Sequence, residues 1–356
     1  MSAVDAVQTK ANTSNGRNLL KTLPGILVSL FFLWYTFFPH GKVWFLPAGR
    51  GISVAEILAI RAVRPAWLLG ILGFTAASYT LRCVRWTRMM RSTGARFGVC
   101  ARVLMTSLAA NNILPLRIGD IMRVFTYSGD LGASPSVILS TVILEKLLDI
   151  FILVLLFTLT MGNGTPEVLR AGSRLGLEVS TVGLIALIFG ARPMKAPLES
   201  FFAKHSGDAK IAKVEHWIML ALDCLLEIGI AGSMLLLLQS AVIWFCEGMI
   251  FVSAAKMIGL ATDWIGPWQA VSWANLSYLV PSSPGSLGPF EFAVKTSLVT
   301  HGASEARAAL YALALHAWLL ISVTGAGGLI FLMHRAKRPE HKPLIEEIET
   351  LPTELP

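Results

Sequence analysis

Long apolar runs separated by short basic stretches organise this chain. Six of them read as membrane spans: Leu23 to about Phe38, Pro65 to Leu81, Ser136 to Met161, Leu177 to Gly190, Ile230 to Lys256 and Ala308 to Met333. A helix needs about 20 apolar residues to cross a hydrocarbon core of about 30 Å, so the first is short and draws on Trp44 and its neighbours at the interface. Residues 52–64 mix apolar positions with Glu56, Arg61 and Arg64, which suits a helix lying on the membrane surface. Residues 214–228 read as amphipathic, with Asp223 and Glu227 one turn apart. Two further stretches, about 97–131 and 264–303, are apolar enough for the membrane but are interrupted by Pro and Gly near their middles.

The two interrupted stretches resemble each other. Pro115 and Gly119 are followed by Gly132-Ala133-Ser134 and then a long apolar run; Pro284 and Gly288 are followed by Gly302-Ala303-Ser304 and then another. The shared order indicates an internal duplication, with repeat elements at about 97–161 and 264–333. Three predicted crossings lie between them, so the second copy enters from the opposite side. The expected fold class is therefore all-α: a polytopic membrane helix bundle of about six spans plus two re-entrant helix pairs in an inverted repeat, a construction common in secondary transporters. Irregular backbone at membrane depth is tolerated where it is buried in protein or lines a wet cavity.

Charge sets the orientation. Arg82, Arg85, Arg88, Arg91, Arg96 and Arg102 run without an acid between them, Arg192 to Lys213 forms another basic stretch, and Arg335, Lys337 and Arg338 follow the last span. Positive loops stay in the cytoplasm, which places both termini there, in a bacterial inner membrane. A polar cytoplasmic segment 1–22, a transmembrane domain 23–334 and a polar tail 335–356 complete the division. Lys10, Arg17 and Lys21 precede the first apolar run like the charged end of a signal peptide, but Phe37-Phe38-Pro39-His40 is a poor cleavage site, and an uncleaved first span is expected.

Composition agrees: 54% of the 356 residues are hydrophobic and 15% charged, against about 25% charged in a soluble domain. The net charge of +8 lies beside apolar runs, not on a soluble domain that could hold nucleic acid. Cys83, Cys100, Cys224 and Cys246 form no C-x-x-C pair, and no H-E-x-x-H, G-x-S-x-G or Walker loop occurs. No cofactor or metal is expected.

The candidate chemistry is charge inside the membrane. Arg117, Asp120 and Arg123 recur every three residues and share a broad helix face with a surplus of one positive charge. Guanidinium forks suit phosphate or carboxylate, and a helix starting near Pro115 adds its N-terminal dipole. Glu145, Lys146 and Asp149 lie within the third span, where each charge costs at least about 2.5 kcal/mol and persists only when paired or facing a cavity. The acids could hold Arg117, Arg123 or Lys146, or line a substrate path. In the second repeat Glu291 and Lys295 are one turn apart beyond Pro281-Ser-Ser-Pro284-Gly285-Ser-Leu-Gly288, whose glycines permit close backbone approach. Glu247 is an isolated acid in the fifth span.

These residues resemble the transmembrane region of the lysylphosphatidylglycerol synthase/flippase family. Its members combine N-x-x-P-x-R-x-G-[DE]-x-x-R, here Asn112 to Arg123 with Pro115, Arg117, Gly119 and Asp120, an E-[RK]-x-x-D helix, here Glu145 to Asp149, and P-x-P-G-x-x-G-x-x-E, here Pro281 to Glu291. The chain departs in having Ser282-Ser283 before Pro284 and Lys146 where Arg is usual. The resemblance spans about residues 20–335. It implies a flippase-like domain moving an anionic lipid or lipid-linked head group between leaflets. Candidate cargoes are a membrane phospholipid, a polyprenyl-linked lipid or a hopanoid-type lipid. Aminoacyl transfer is not implied, because in the full-length synthases it resides in a separate soluble domain. The implied substrate-binding residues are Asn112, Pro115, Arg117, Gly119, Asp120, Arg123, Glu145, Lys146, Asp149, Pro284, Gly285, Gly288 and Glu291. A membrane-embedded lipid- or glycolipid-modifying enzyme, or a scaffold subunit for a lipid-biosynthetic enzyme partner, is the alternative.

Overall fold

A computed structural model describes residues 24–37, 64–114, 118–161, 167–203 and 209–337. All regular structure among them is helical. The helices are α1 (Pro24–Phe37), α2 (Ala66–Met89), α3 (Phe97–Ile113), α4 (Ile118–Phe125), α5 (Ser128–Leu131), α6 (Pro135–Thr160), α7 (Glu167–Ala203), α8 (Ala209–Met257), α9 (Gly266–Ser277), α10 (Pro289–Thr300) and α11 (Glu305–Lys337). Among the described residues, three segments are long and apolar enough to cross a membrane: Ala66–Met89, Leu226–Met257 and Glu305–Ala336. At 1.5 Å per residue the 24 residues of α2 extend about 36 Å. The protein is a multi-pass integral membrane protein, and its exposed leucines, isoleucines and phenylalanines, Leu69, Leu159 and Ile321 among them, form the surface that acyl chains contact.

Local chemistry sets the element ends. Ser134 caps α6, its hydroxyl accepting from Val137 N–H at 3.4 Å, and Pro135 occupies the first helical position, where its missing N–H is not needed. Inside α8, Gly229 has φ 66° and ψ 174°, so the amphipathic stretch and the apolar span are two helices meeting at a kink.

Three expectations change. The apolar run expected to end at Gly190 does not stop there; α7 continues as helix through Pro193 and Pro197 to Ala203. An ion pair from Lys195 to Asp223 (2.5 Å) holds this extension to the first part of α8. The basic run starting at Arg82 is not all loop, since Arg82 and Arg85 lie on α2 and face the protein interior. The surface helix expected at 52–64 falls, apart from Arg64, outside the described residues.

Each interrupted stretch has its own hydrophobic cluster. Trp86, Met89 and Met90 of and beside α2 pack with Val103 and Leu104 of α3 and with Ile138 and Leu148 of α6. Phe290, Val294 and Leu298 of α10 pack with Tyr311, Ala312 and Leu315 of α11, and with Ile250 and Phe251 of α8. In both clusters a helix, an interruption and a shorter returning helix precede a long helix. The Gly-Ala-Ser links also match in detail. Gly132 and Gly302 are left-handed, with φ of 61° and 92°. Ala133 N–H donates to Ser128 O at 3.2 Å, and Ala303 N–H donates to Leu298 O at 3.1 Å. Both are the six-to-one bond of a glycine-terminated helix.

Candidate functional site

The two helices that flank the first interruption, α3 and α4, pack closely. A Cβ at Gly119 would strike the Ser107 carbonyl, and the Asn111 Oδ1 at 2.7 Å, so only glycine lets α4 lie this close to α3. Asn111 Oδ1 accepts from Asp120 N–H at 3.2 Å, satisfying one of the free donors at the start of α4. Pro115 and Arg117 lie outside the described residues.

From α4 Arg123 points inward and is fully buried. Its guanidinium makes a fork to Glu145 on α6, at 3.1 and 3.4 Å, and reaches Asp120 at 3.5 Å. Its flat face lies over the Trp86 ring, 4.9 Å from the centroid. Lys146 reaches Asp120 at 3.3 Å and Glu145 at 3.9 Å, with its side chain 36% exposed. One turn along α6, Asp149 receives a second fork. Arg85 of α2 donates to its two oxygens at 2.6 and 3.1 Å, and also to Ser240 Oγ of α8 at 2.6 Å. Trp244 Nε1 donates to the same carboxylate at 3.2 Å. Arg82 bridges Asp149 (3.8 Å) and Glu247 of α8 (3.1 Å), and Ser78 donates to Glu247 at 2.7 Å. Among the described residues, four cations, Arg82, Arg85, Arg123 and Lys146, thus balance four acids, Asp120, Glu145, Asp149 and Glu247, along one track across α2, α4, α6 and α8. A buried charge left unpaired would be prohibitive, and the pairing explains how helices carrying these residues remain in a membrane.

A groove of about 480 Å³ runs beside this track, lined by α2, α3 and α11 with Leu72, Tyr79, Phe97, Met105, Trp318 and Ser322. Its lining is mostly apolar. Tyr79 hydrogen-bonds Ser322 and also feels the charges of Glu247 and Arg82, so the groove and the track meet at this residue.

The second interruption comprises α9, a single turn over Pro284–Ser286, and α10. Gly285 and Gly288 have φ of 73° and 94°. A Cβ at Gly288 would strike the Ser29 carbonyl of α1, and one at Gly285 would meet Leu320 at 3.0 Å and the Asn112 carbonyl at 3.6 Å. Asn112 closes α3 just before the first interruption, and its side chain donates to Thr324 of α11 at 3.3 Å. The two interrupted tips therefore touch. Glu291, fully buried, accepts from Gly288 N–H at 2.6 Å and faces His316 Nδ1 on α11 at 2.7 Å. The His316 ring stacks on Phe290, with centroids 3.9 Å apart. Lys295 does not pair with Glu291; it reaches Glu305 at 3.4 Å and the Thr36 carbonyl at 3.1 Å.

Of the residues singled out from sequence, Asp120, Arg123, Glu145, Lys146 and Asp149 are brought into one track, with Gly119 as the contact that lets Arg123 reach it. Asn112, Pro284, Gly285, Gly288 and Glu291 gather at the second tip. Arg82, Arg85, Trp86, Ser240 and His316 were not singled out. The signal for Arg85 was its place with Ser78 and Arg82 at helical spacing on one face of α2, and for His316 its position as the one histidine within the apolar run Ala308 to Met333.

Neither a curated protein nor a solved structure matches the chain. The model of the lysylphosphatidylglycerol synthase TM region matches residues 23–327, most of the chain. The protein belongs to the lysylphosphatidylglycerol synthase transmembrane-region family.

Proposed function

We propose that the protein is a flippase-like transporter that moves a lipid with an anionic head group between the leaflets of a bacterial inner membrane. The observation that carries this reading is the balanced track of eight charged side chains inside a membrane bundle, alongside an apolar groove and two interrupted tips in contact. Charges at membrane depth mark substrate pathways, and interrupted helices there mark binding sites. The head group would exchange with a carboxylate on the more accessible cations, Lys146 and Arg82, while its acyl chains lie in the groove beside Tyr79. Arg123 and Arg85, enclosed and doubly held, would set the field and hold Glu145 and Asp149 in place. The related arrangement of the two halves supports an inverted repeat, and the basic residues after Arg85 and at Arg335 to Arg338 support cytoplasmic termini.

Reconstitution tests it. In proteoliposomes holding a fluorescent phosphatidylglycerol in one leaflet, the protein should speed its appearance in the other by at least tenfold over empty vesicles, and a phosphatidylcholine analogue by less. Equal acceleration of both would leave the arginines as structural residues. Conversion of the lipid to a new species would favour a lipid-modifying enzyme. No acceleration at all would overturn the transport reading.

A further inference from the structure

Every acid of the charged track has an arginine or lysine within ion-pair distance. Glu291 differs. Among the described residues its only such partner is His316, and His316 Nε2, also buried, has no hydrogen-bond partner. The ionisable groups on neighbouring elements are engaged elsewhere. Lys295 on α10 is committed to Glu305 and Thr36 O, and Tyr311 on α11 donates to Phe251 O of α8 at 2.8 Å. Tyr278, just past the end of α9, lies against Phe290. Tyr35 of α1 lies against Phe292. Where α2 and α3 approach α11 they offer Thr75, bonded to Trp318, Asn112, bonded to Thr324, and the phenol of Tyr79, bonded to Ser322.

The geometry fixes where protons can sit. A separation of 2.7 Å between Glu291 Oε1 and His316 Nδ1 requires one proton between them. Glu291 Oε2 accepts from Gly288 N–H and so carries none. The remaining position is Nε2. With a proton there the pair is neutral overall; without one it carries a net negative charge, which a dry protein interior strongly disfavours. The protonated form therefore suits the closed, packed tip. Loss of the proton suits a tip opened to water, where the extra charge is solvated.

We infer that Glu291 and His316 form a binding site for one exchangeable proton, carried on His316 Nε2, whose uptake and release accompany opening of the Pro284–Gly288 tip. The inference rests on the transport reading above and supplies its coupling ion. The step needs no redox partner: a proton leaves Nε2 for water and returns.

Two measurements decide it. In 15N-histidine-labelled full-length protein in detergent, the His316 signals, assigned by their loss in His316→Gln, should show Nε2 gaining a proton between pH 9 and pH 5. Glu291→Gln should weaken that uptake at least tenfold. A ring that keeps one protonation state across this range overturns the proposal, whether or not lipid is transported. In proteoliposomes, wild-type transport of the fluorescent phosphatidylglycerol should change at least threefold when a pH gradient of two units is imposed, and His316→Gln should lose that response. A wild type that transports lipid but ignores the gradient also overturns it. A wild type that transports nothing refutes the transport reading and with it the coupling, while the ring titration still decides whether the site binds a proton.

Discussion

The two halves of the molecule solve the same problem with different chemistry. In each, a returning helix after an interruption is tied to the following long helix by a buried pair. In the first half the pair is Arg123 with Glu145; in the second it is Glu291 with His316. The outer clasps repeat the contrast. Arg102 on α3 meets Asp130 on α5 at 3.0 Å, whereas Asp263, just before α9, meets His301, just after α10, at 2.8 Å. One half is held by guanidinium, which stays charged at any working pH. The other is held by imidazole. Similar backbone frames thus close one half on guanidinium and the other on a histidine ring.

The largest effect should come from breaking the guanidinium pair. Glu145→Leu removes the fork and leaves Arg123 with its longer contact to Asp120 at 3.5 Å; removing one partner of a buried ion pair costs about 3–5 kcal/mol. Thermal unfolding in detergent should show a melting temperature at least 10 °C lower, well beyond the loss from Glu291→Gln, whose amide oxygen can still accept from Gly288 N–H. If Glu291→Gln is the more destabilising, the contrast fails.

Next comes Gly288→Leu. Its left-handed φ and the Ser29 carbonyl leave no room for a side chain; Gly325, in the last span, has nothing within 4 Å of an added Cβ. Transport should be lost at 288 and kept within twofold at 325, each compared at equal membrane abundance. Full activity with leucine at 288 would mean that the second tip is not packed as described.

Arg123→Lys should be milder, because the ammonium keeps the charge but loses the fork and the flat contact with Trp86, about 1–2 kcal/mol. Melting in detergent measures this. A wild-type melting temperature would show that Arg123 acts only as a point charge.

The smallest effect concerns the second clasp. Burial alone would raise the Asp263 carboxyl, but hydrogen bonds from His301 and from Gly266 and Ile265 N–H outweigh it and hold it below the usual carboxylate range. A depressed folded value gives stability that is complete above the unfolded value of about 4 and is lost as pH falls below it. With the Asp263 side chain 48% exposed, solvent screening keeps this to a few tenths of a kcal/mol. Asp263→Asn should flatten the melting-temperature slope between pH 5 and 3 and leave pH 7 nearly unchanged. An unaltered acid slope would show that the clasp carries no such linkage.

Much of this was legible along the chain. Pro and Gly within apolar stretches marked both interruptions, and Gly-Ala-Ser marked both helix starts, because a glycine-terminated helix followed by a serine cap leaves the same letters wherever it occurs. Glu145 and Asp149 stood out because acids are costly in a span. Arg82 and Arg85 did not, since a guanidinium at the end of an apolar run looks the same whether it faces a loop or a carboxylate on another helix. His316 has one weakly polar ring in a long apolar helix, and only its distance to Glu291 gives it meaning. The continuation of α7 past Gly190 was hidden because Arg192, Pro193 and Lys195 are residues that commonly end a span; the contact with Asp223 lies beyond any local pattern.

The packing of α1 has a consequence for how the protein is made. Ser29 on α1 donates to Ser283 Oγ at 2.8 Å and accepts from Ser283 N–H at 2.9 Å, across 254 positions of sequence. During synthesis α1 emerges before its seat on the second tip, 254 positions further along the chain. Until then Ser29 and the small face at Gly25 must wait in lipid or be sheltered by another factor. The halves can each gather from neighbouring segments, so joining α1 to the second tip is the long-range closure that completes assembly. Substitutions at this contact should act on biogenesis, lowering the amount of finished protein in the membrane while leaving the molecules that do mature working at their normal rate.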